Sequence, residues 1–181
     1  QPNYLFNYSH LAYQTYLVNP QAINTLEKLY FEAHRIGALR HDLKEMDAKA
    51  VISNTLILHL RPGEKLIKEL GGVGKFMNWG KINATDSGGF QMYSPSLYIK
   101  STEEGVWFRN PYEDNKVFIT PEKDMQIQID LNSDIAMCLD TMPLIEHSKE
   151  QIKLAVERTT SWAKRCKQEH DKLQEKIPRN K

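Results

Sequence analysis

Apolar residues recur along this chain in short runs that close on polar residues, with helix-spaced stretches between them. Ile23, Leu26, Tyr30 and Ala33 fall on one helical stripe, opened by Asn19-Pro20 and ended by Gly37. Asp42 to Asp47 predicts a short helix, and Lys49 to Ser53 a buried strand closing on Asn54. Glu64 to Leu70 predicts a helix stopped by Gly71-Gly72, and Lys81 to Thr85 a second strand closing on Asp86. Val106 to Phe108 and Lys116 to Thr120 flank a turn-rich stretch and predict a hairpin. Thr120-Pro121-Glu122 reads as a helix start, although Met125, Ile127, Ile129 and Leu131 then alternate as a strand would. Asp134 to Leu139 predicts a third strand, closing on Asp140. Ser148 and Gln151 form a capping box. The long helix it opens has Ile152, Ala155, Val156, Thr159, Trp162, Ala163, Cys166 and Leu173 on one face.

Three strands that each end in a polar residue, Asn54, Asp86 and Asp140, with helices between them, predict repeated strand–helix units. In a parallel barrel such residues gather on one face, where active sites sit, and a full barrel takes about 250 residues. The 181 residues here supply only part of one, so the expected fold is an incomplete (β/α) barrel. The aromatic-rich stretch Gln1 to Val18 reads as a packing surface, with base stacking as the alternative.

Composition narrows the class. Hydrophobic residues make up 40% and charged residues 26%, as in globular proteins, and no apolar run is long enough to span a membrane. No secretory signal pattern is present, and the chain begins with Gln, which points to a natural start further upstream. A net charge of +1 does not decide for or against nucleic acid, because a basic face matters more than a basic total. The basic excess after Lys164 reads as a solvated helix face, with an RNA contact as the alternative. Cys138 and Cys166, without a Cys-x-x-Cys pair or a neighbouring His, read as idle thiols of a reducing compartment.

The densest chemistry is Ala84-Thr85-Asp86-Ser87-Gly88-Gly89-Phe90-Gln91. Adjacent glycines let the backbone approach a ligand closely, a carboxylate accepts paired N–H donors, and Phe90 offers a ring face. These parts suit a flat, donor-rich heterocycle. A strand-ending turn that caps a helix with Asp86 or Ser87 is the structural alternative.

The segment resembles the signature of the tRNA-guanine transglycosylase family. Asn54-Thr55 with Leu60-Arg61-Pro62-Gly63, Phe76-Met77-Asn78-Trp79, Glu104 to Arg109, Thr120-Pro121-Glu122, Ser133-Asp134-Ile135, Asp140 and Trp162 to Arg165 follow in the family's order, from about Asp42 to Cys166. The resemblance implies a partial (β/α)8 TIM-type barrel over residues 41–181, incomplete at its C-terminal side, after a divergent segment 1–40. With the start signal, it also decides residues 121–131 for helix.

The activity implied is exchange of an anticodon guanine in tRNA for a queuine-type 7-deazaguanine, a cytoplasmic tRNA modification. Asp86 would be the acid/base carboxylate with Ser87 beside it, Gly88 and Gly89 would let the base approach, and Phe90 would stack on the purine. Asp140 would accept from the N–H edge of the base, and Asn54 and Gln91 would complete the site.

The sequence departs from the bacterial pattern in places. Asp140-Thr141-Met142-Pro143 replaces Asp-Glu-Cys-Thr-Pro, and Leu56-Ile57 stands where Tyr-His is usual, leaving His59 as packing. The family's nucleophilic Asp, a glycine-rich loop and its zinc cluster find no counterpart in Glu169 to Lys181, so no cofactor is expected in this chain. That leaves open a truncated or split enzyme completed by a second chain or dimer partner. It also leaves open a non-catalytic tRNA-binding subunit. A hydrolase using Asp86 and Asp140 as a carboxylate pair accounts for less, since it leaves Gly88-Gly89-Phe90 unexplained.

Overall fold

The computed structural model describes residues 38–143 and 146–175. The chain divides into two compact units, one of residues 1–49 with 111–113 and the other of residues 50–110 and 114–181. In the first, helix α1 (Ala38–Glu45) begins earlier than the expected Asp42, and Ala48 N donates back to Leu43 O at 2.9 Å as the helix ends. The helix expected from Asn19 and the aromatic stretch before it lie outside the described residues.

The second unit runs β1 (Ala50–Ser53), α2 (Thr55–Leu60), α3 (Glu64–Glu69), α4 (Val73–Phe76), β2 (Ile82–Thr85) and α5 (Gly89–Met92). It continues through β3 (Tyr98–Ser101), β4 (Val106–Arg109), β5 (Lys116–Ile119), α6 (Pro121–Asp130), β6 (Ile135–Ala136) and α7 (Lys149–Gln174). β1, β2 and β6 form one sheet in that order, all parallel, with Ala50 opposite Ile82, Ser53 opposite Thr85 and Ala84 opposite Ile135. Parallel neighbours need long crossovers, and helices supply them here. β3, β4 and β5 form a separate antiparallel sheet that includes the expected hairpin and one strand, β3, that the sequence pattern did not reveal.

Alternation along the strands sends Asn83 and Thr85 to one face of the parallel sheet, where both are buried. Thr85 Oγ1 donates to Gln128 Oε1 of α6 at 2.7 Å, so α6 covers that face. Ile52, Ile82 and Ile135 point to the other face and are 61%, 47% and 52% exposed. β1 is therefore not the buried strand expected, because among the described residues nothing covers this side. Parallel sheets are ordinarily covered on both faces. The architecture is mixed α/β, with no closed barrel among the described residues.

α6 forms although its apolar residues alternate, because Thr120 caps it by accepting from Lys123 N at 3.2 Å and Pro121 opens it. It packs against α7, where Cys166 Sγ meets Pro121 O at 3.6 Å, and its Met125 and Ile127 are buried, as are Leu131 just after it and Trp162 of α7. The capping box of Ser148 and Gln151 forms as the sequence implies. Ile152 and Val156 are exposed, however, so the buried stripe of α7 is Ala155, Trp162, Cys166 and Leu173. Arg165 joins α7 to the rest through Glu122, at 2.6 and 2.7 Å, and through Glu103 O at 2.8 Å.

The third parallel strand is shorter than expected and stops at Ala136, before Asp140. Beyond it, Met137 N still donates to Thr85 O of β2 at 3.2 Å, and the side chain of Gln128 bonds Met137 as well. Met137 N donates to Gln128 Oε1 at 3.0 Å, and Gln128 Nε2 donates to Met137 O at 2.7 Å.

Candidate active site

The end of β1 and the end of β2 lie side by side, so Asn54 meets Asp86. Asp86 N donates to Ser53 O at 3.1 Å, which continues the ladder one residue past the strands. The carboxylate is then held from three directions. Asn54 Nδ2 donates to Oδ2 at 2.8 Å, while Thr55 N and Gly88 N donate to Oδ1 at 3.0 and 3.1 Å. The Gly88 bond is an Asx turn, in which an Asp side chain bonds the backbone two residues on. Asn54 also caps α2, its Oδ1 accepting from Ile57 N at 2.9 Å, which fixes its amide toward Asp86. Gly88 adopts φ +69, and a Cβ there would lie 2.4 Å from Leu56 Cβ.

The next residues face Asp140. Ser87 Oγ donates to Asp140 Oδ1 at 3.3 Å, and Gly89 N donates to Ser87 Oγ at 3.2 Å. A Cβ on Gly89 would lie 2.5 Å from Asp140 Oδ1, so the second glycine is what lets that carboxylate approach α5. Phe90 is 66% exposed although its neighbours Gly89 and Met92 are buried. Gln91 Oε1 is buried without a hydrogen-bond partner. Six consecutive residues thus put a held carboxylate, a hydroxyl, two close-approach glycines, a bare ring and an amide beside a second carboxylate.

The electrostatics favour proton exchange at Asp86. Burial pushes its carboxyl above the ordinary value, the bonds from Thr55, Asn54 and Gly88 oppose that, and the nearby Asp140 adds repulsion. A carboxyl raised in this way is better matched to general acid–base work near neutral pH.

A third carboxylate was missing from the sequence reading. Asp124 of α6 is fully buried, and burial pushes its carboxyl well above the ordinary value, with Asp86 and Asp140 adding repulsion. Asp124 and Gln128 are one helical turn apart, and that polar pair on an otherwise apolar stripe was the available signal.

Comparison with known proteins decides the family. The family model for queuine tRNA-ribosyltransferase matches residues 33–179. The chain belongs to the queuine tRNA-ribosyltransferase family. It is similar to the queuine tRNA-ribosyltransferase of Lysinibacillus sphaericus (strain C3-41), with 51% identity over 134 residues, covering 74% of this chain and 35% of the relative. The enzyme of the same name from Shouchella clausii (strain KSM-K16) is 54% identical over 129 residues, 71% of this chain and 34% of the relative. That of Bacillus thuringiensis (strain Al Hakam) is 48% identical over 134 residues, 74% and 35% respectively. The chain thus matches about a third of the length of these relatives.

Among the described residues no group of three or more His, Cys, Asp or Glu is placed to hold a metal ion, and the chemistry below uses none. Cys138 and Cys166 are free thiols, and burial pushes Cys166 up to about 12, which keeps it protonated and inert. His59 sits away from the carboxylates, its Nδ1 2.6 Å from Glu64 Oε2. Burial raises the Glu64 carboxyl, but His59, a backbone N–H and Lys123 outweigh it and hold the group below its ordinary value. No helix among the described residues is long and apolar enough to cross a membrane.

Proposed function

We propose that this chain carries the base-recognition and acid–base part of a tRNA-guanine transglycosylase, which exchanges an anticodon guanine for a queuine-type 7-deazaguanine. The observation that carries the reading is the convergence of Asp86 and Asp140 around Ser87-Gly88-Gly89, with the ring of Phe90 bare beside them. Guanine presents two adjacent N–H donors on one edge, and a carboxylate has lone pairs for both. Ser87 occupies one site on Asp140 Oδ1, and the remaining sites can take that edge. Phe90 stacks on the purine face once the target base has left its neighbours in the tRNA.

Exchange without cutting the backbone requires a carboxylate nucleophile on the ribose and a second group that moves protons. Asp86 is that second group. Its three donors fix its position, while burial and Asp140 ease proton uptake. The nucleophile belongs to polypeptide beyond these residues. The bare face of Ile52, Ile82 and Ile135 supports the same view, because further strand–helix units, from this polypeptide or a second chain, would cover it as a barrel interior. On this reading the fold is a partial (β/α)8 barrel, the partners are tRNA and a 7-deazaguanine-type base, and the compartment is the cytoplasm.

The test is calorimetric titration of the chain with guanine and with adenine, whose corresponding edge lacks the paired donors. Guanine is expected to bind, adenine not, and Asp140→Ala to abolish guanine binding. Equal binding of both bases, or unchanged guanine binding in Asp140→Ala, overturns the reading. In the complete enzyme, Asp86→Asn is expected to stop incorporation of labelled guanine into tRNA.

A further inference from the structure

Asp124 is buried completely, touches no solvent, and takes no part in the chemistry above. Its Oδ2 accepts from Gln128 Nε2 at 2.8 Å, and its Oδ1 has no hydrogen-bond partner. A carboxyl group in that position is costly, so its retention calls for an explanation in the network it joins.

Gln128 is the centre of that network, and its amide is fully committed. Oε1 accepts from Thr85 Oγ1 at 2.7 Å and from Met137 N at 3.0 Å. Nε2 donates to Met137 O at 2.7 Å and to Asp124 Oδ2. Both lone pairs and both protons are used, which fixes the orientation of the amide without ambiguity. Because Thr85 gives its proton to Gln128, Ser133 Oγ is the donor in its 2.8 Å bond to Thr85. Thr85 immediately precedes Asp86, and Met137 lies on the strand end that leads to Asp140. One side chain therefore reinforces the main-chain bond from Met137 N to Thr85 O, 3.2 Å, in bridging the two backbone segments that carry the two carboxylates of the site.

We propose that Asp124 is a positioning residue for the Asp86–Asp140 pair, acting through Gln128, whose amide it holds in the one orientation that ties the ends of β2 and β6 together. Without Asp124, one proton of Nε2 is left unpaired in a buried place, and the amide gains by turning or withdrawing. Either movement leaves Met137 and Thr85 joined by their main-chain bond alone, and the spacing of the carboxylates loosens. Burial, with the neighbouring Asp86 and Asp140, pushes the Asp124 carboxyl well above its ordinary value, while its Oδ2 serves Gln128 as acceptor. This role rests on the reading of the site as a guanine pocket, but its structural half does not.

The test compares the chain with Asp124→Ser, too short to reach Gln128, and Asp124→Asn, which keeps the shape and an acceptor oxygen. Two readouts are used, guanine affinity by calorimetry and the NMR amide signals of Gly88 and Met137. The Ser variant is expected to lose about tenfold in guanine affinity, the scale of one good hydrogen bond. It is also expected to shift both amide signals while remaining folded by circular dichroism. The Asn variant is expected to restore both readouts, a rescue that a general loss of packing does not give. A folded Ser variant with unchanged signals and affinity overturns the proposal. If Ser prevents folding, an Asn variant that loses both signals still overturns it. Absence of guanine binding in the parent chain refutes the pocket reading instead, and the amide signals then decide on Asp124 alone.

Discussion

Substituting Gly89 by alanine separates recognition from stability. Gly89 opens α5 and is buried, and its backbone has no left-handed strain that alanine would resent. A Cβ would stand 2.5 Å from Asp140 Oδ1 and 3.2 Å from Ser87 Oγ, well inside contact distance for the first and tight for the second. The atom in the way is the tip of a side chain, so the carboxylate rotates and the backbone stays. In the proposed complex that rotation spoils at least one of the two charge-assisted bonds to the base edge. Hydrogen bonds to charged groups are worth about 1.5–3 kcal/mol, so guanine affinity should fall roughly 10- to 200-fold. Alanine is the better helix former by up to about 1 kcal/mol, which offsets the crowding and leaves thermal stability nearly unchanged. Calorimetry with guanine and a melting curve on the same sample check both halves. Unchanged affinity in a folded Gly89→Ala protein would refute the placement of Asp140 at the base. An affinity loss that merely tracks a fall in melting temperature would refute the separation.

Three further outcomes follow from the same geometry. Gly88→Ala meets Leu56 from a φ of +69, so left-handed strain of about 1–2 kcal/mol and overpacking of about 1–3 kcal/mol should add to a marked drop in the urea midpoint. Phe90→Ala removes a ring that is 66% exposed and should leave stability unchanged, while weakening base binding by about 1–3 kcal/mol, as lost stacking does. Asp124 has a raised folded-state value, so its stabilising contribution is full below the ordinary carboxylate range and is lost as pH rises through that folded value. The urea midpoint of the parent should therefore fall relative to that of Asp124→Asn as pH rises from about 4. Titrations shared by both proteins cancel in the difference to first order. A pH-independent difference would show that Asp124 is ionised in the fold or no more perturbed than an exposed acid.

Local signals settled those features whose causes are local. Ser148 with Gln151, and Thr120 before Pro121, start their helices because capping satisfies backbone groups within a turn of sequence. The sequence also pointed to Asn54 and Asp86 as strand-end residues, and to the glycine pair beside them, since the period of two and the chemistry of glycine are written in consecutive positions, whereas Asp140 lies four residues past the end of β6. Tertiary structure decided the rest. Short α2 and α4 and the strand β3 carry too few residues to show a period, and they exist because neighbours complete them. β6 ends at Ala136, and the backbone of Met137 just beyond it is held jointly by Thr85 O of β2 and by the side chain of Gln128. No pattern in the strand itself could reveal that. The exposure of Ile52 and Ile135 was equally hidden, because an apolar run states only that a residue suits burial, whereas burial needs a second surface to supply it. Asp124 shows the converse: a residue type that belongs at the surface lies fully buried, where desolvation and two other acids push its carboxyl above the ordinary value and Gln128 bonds it.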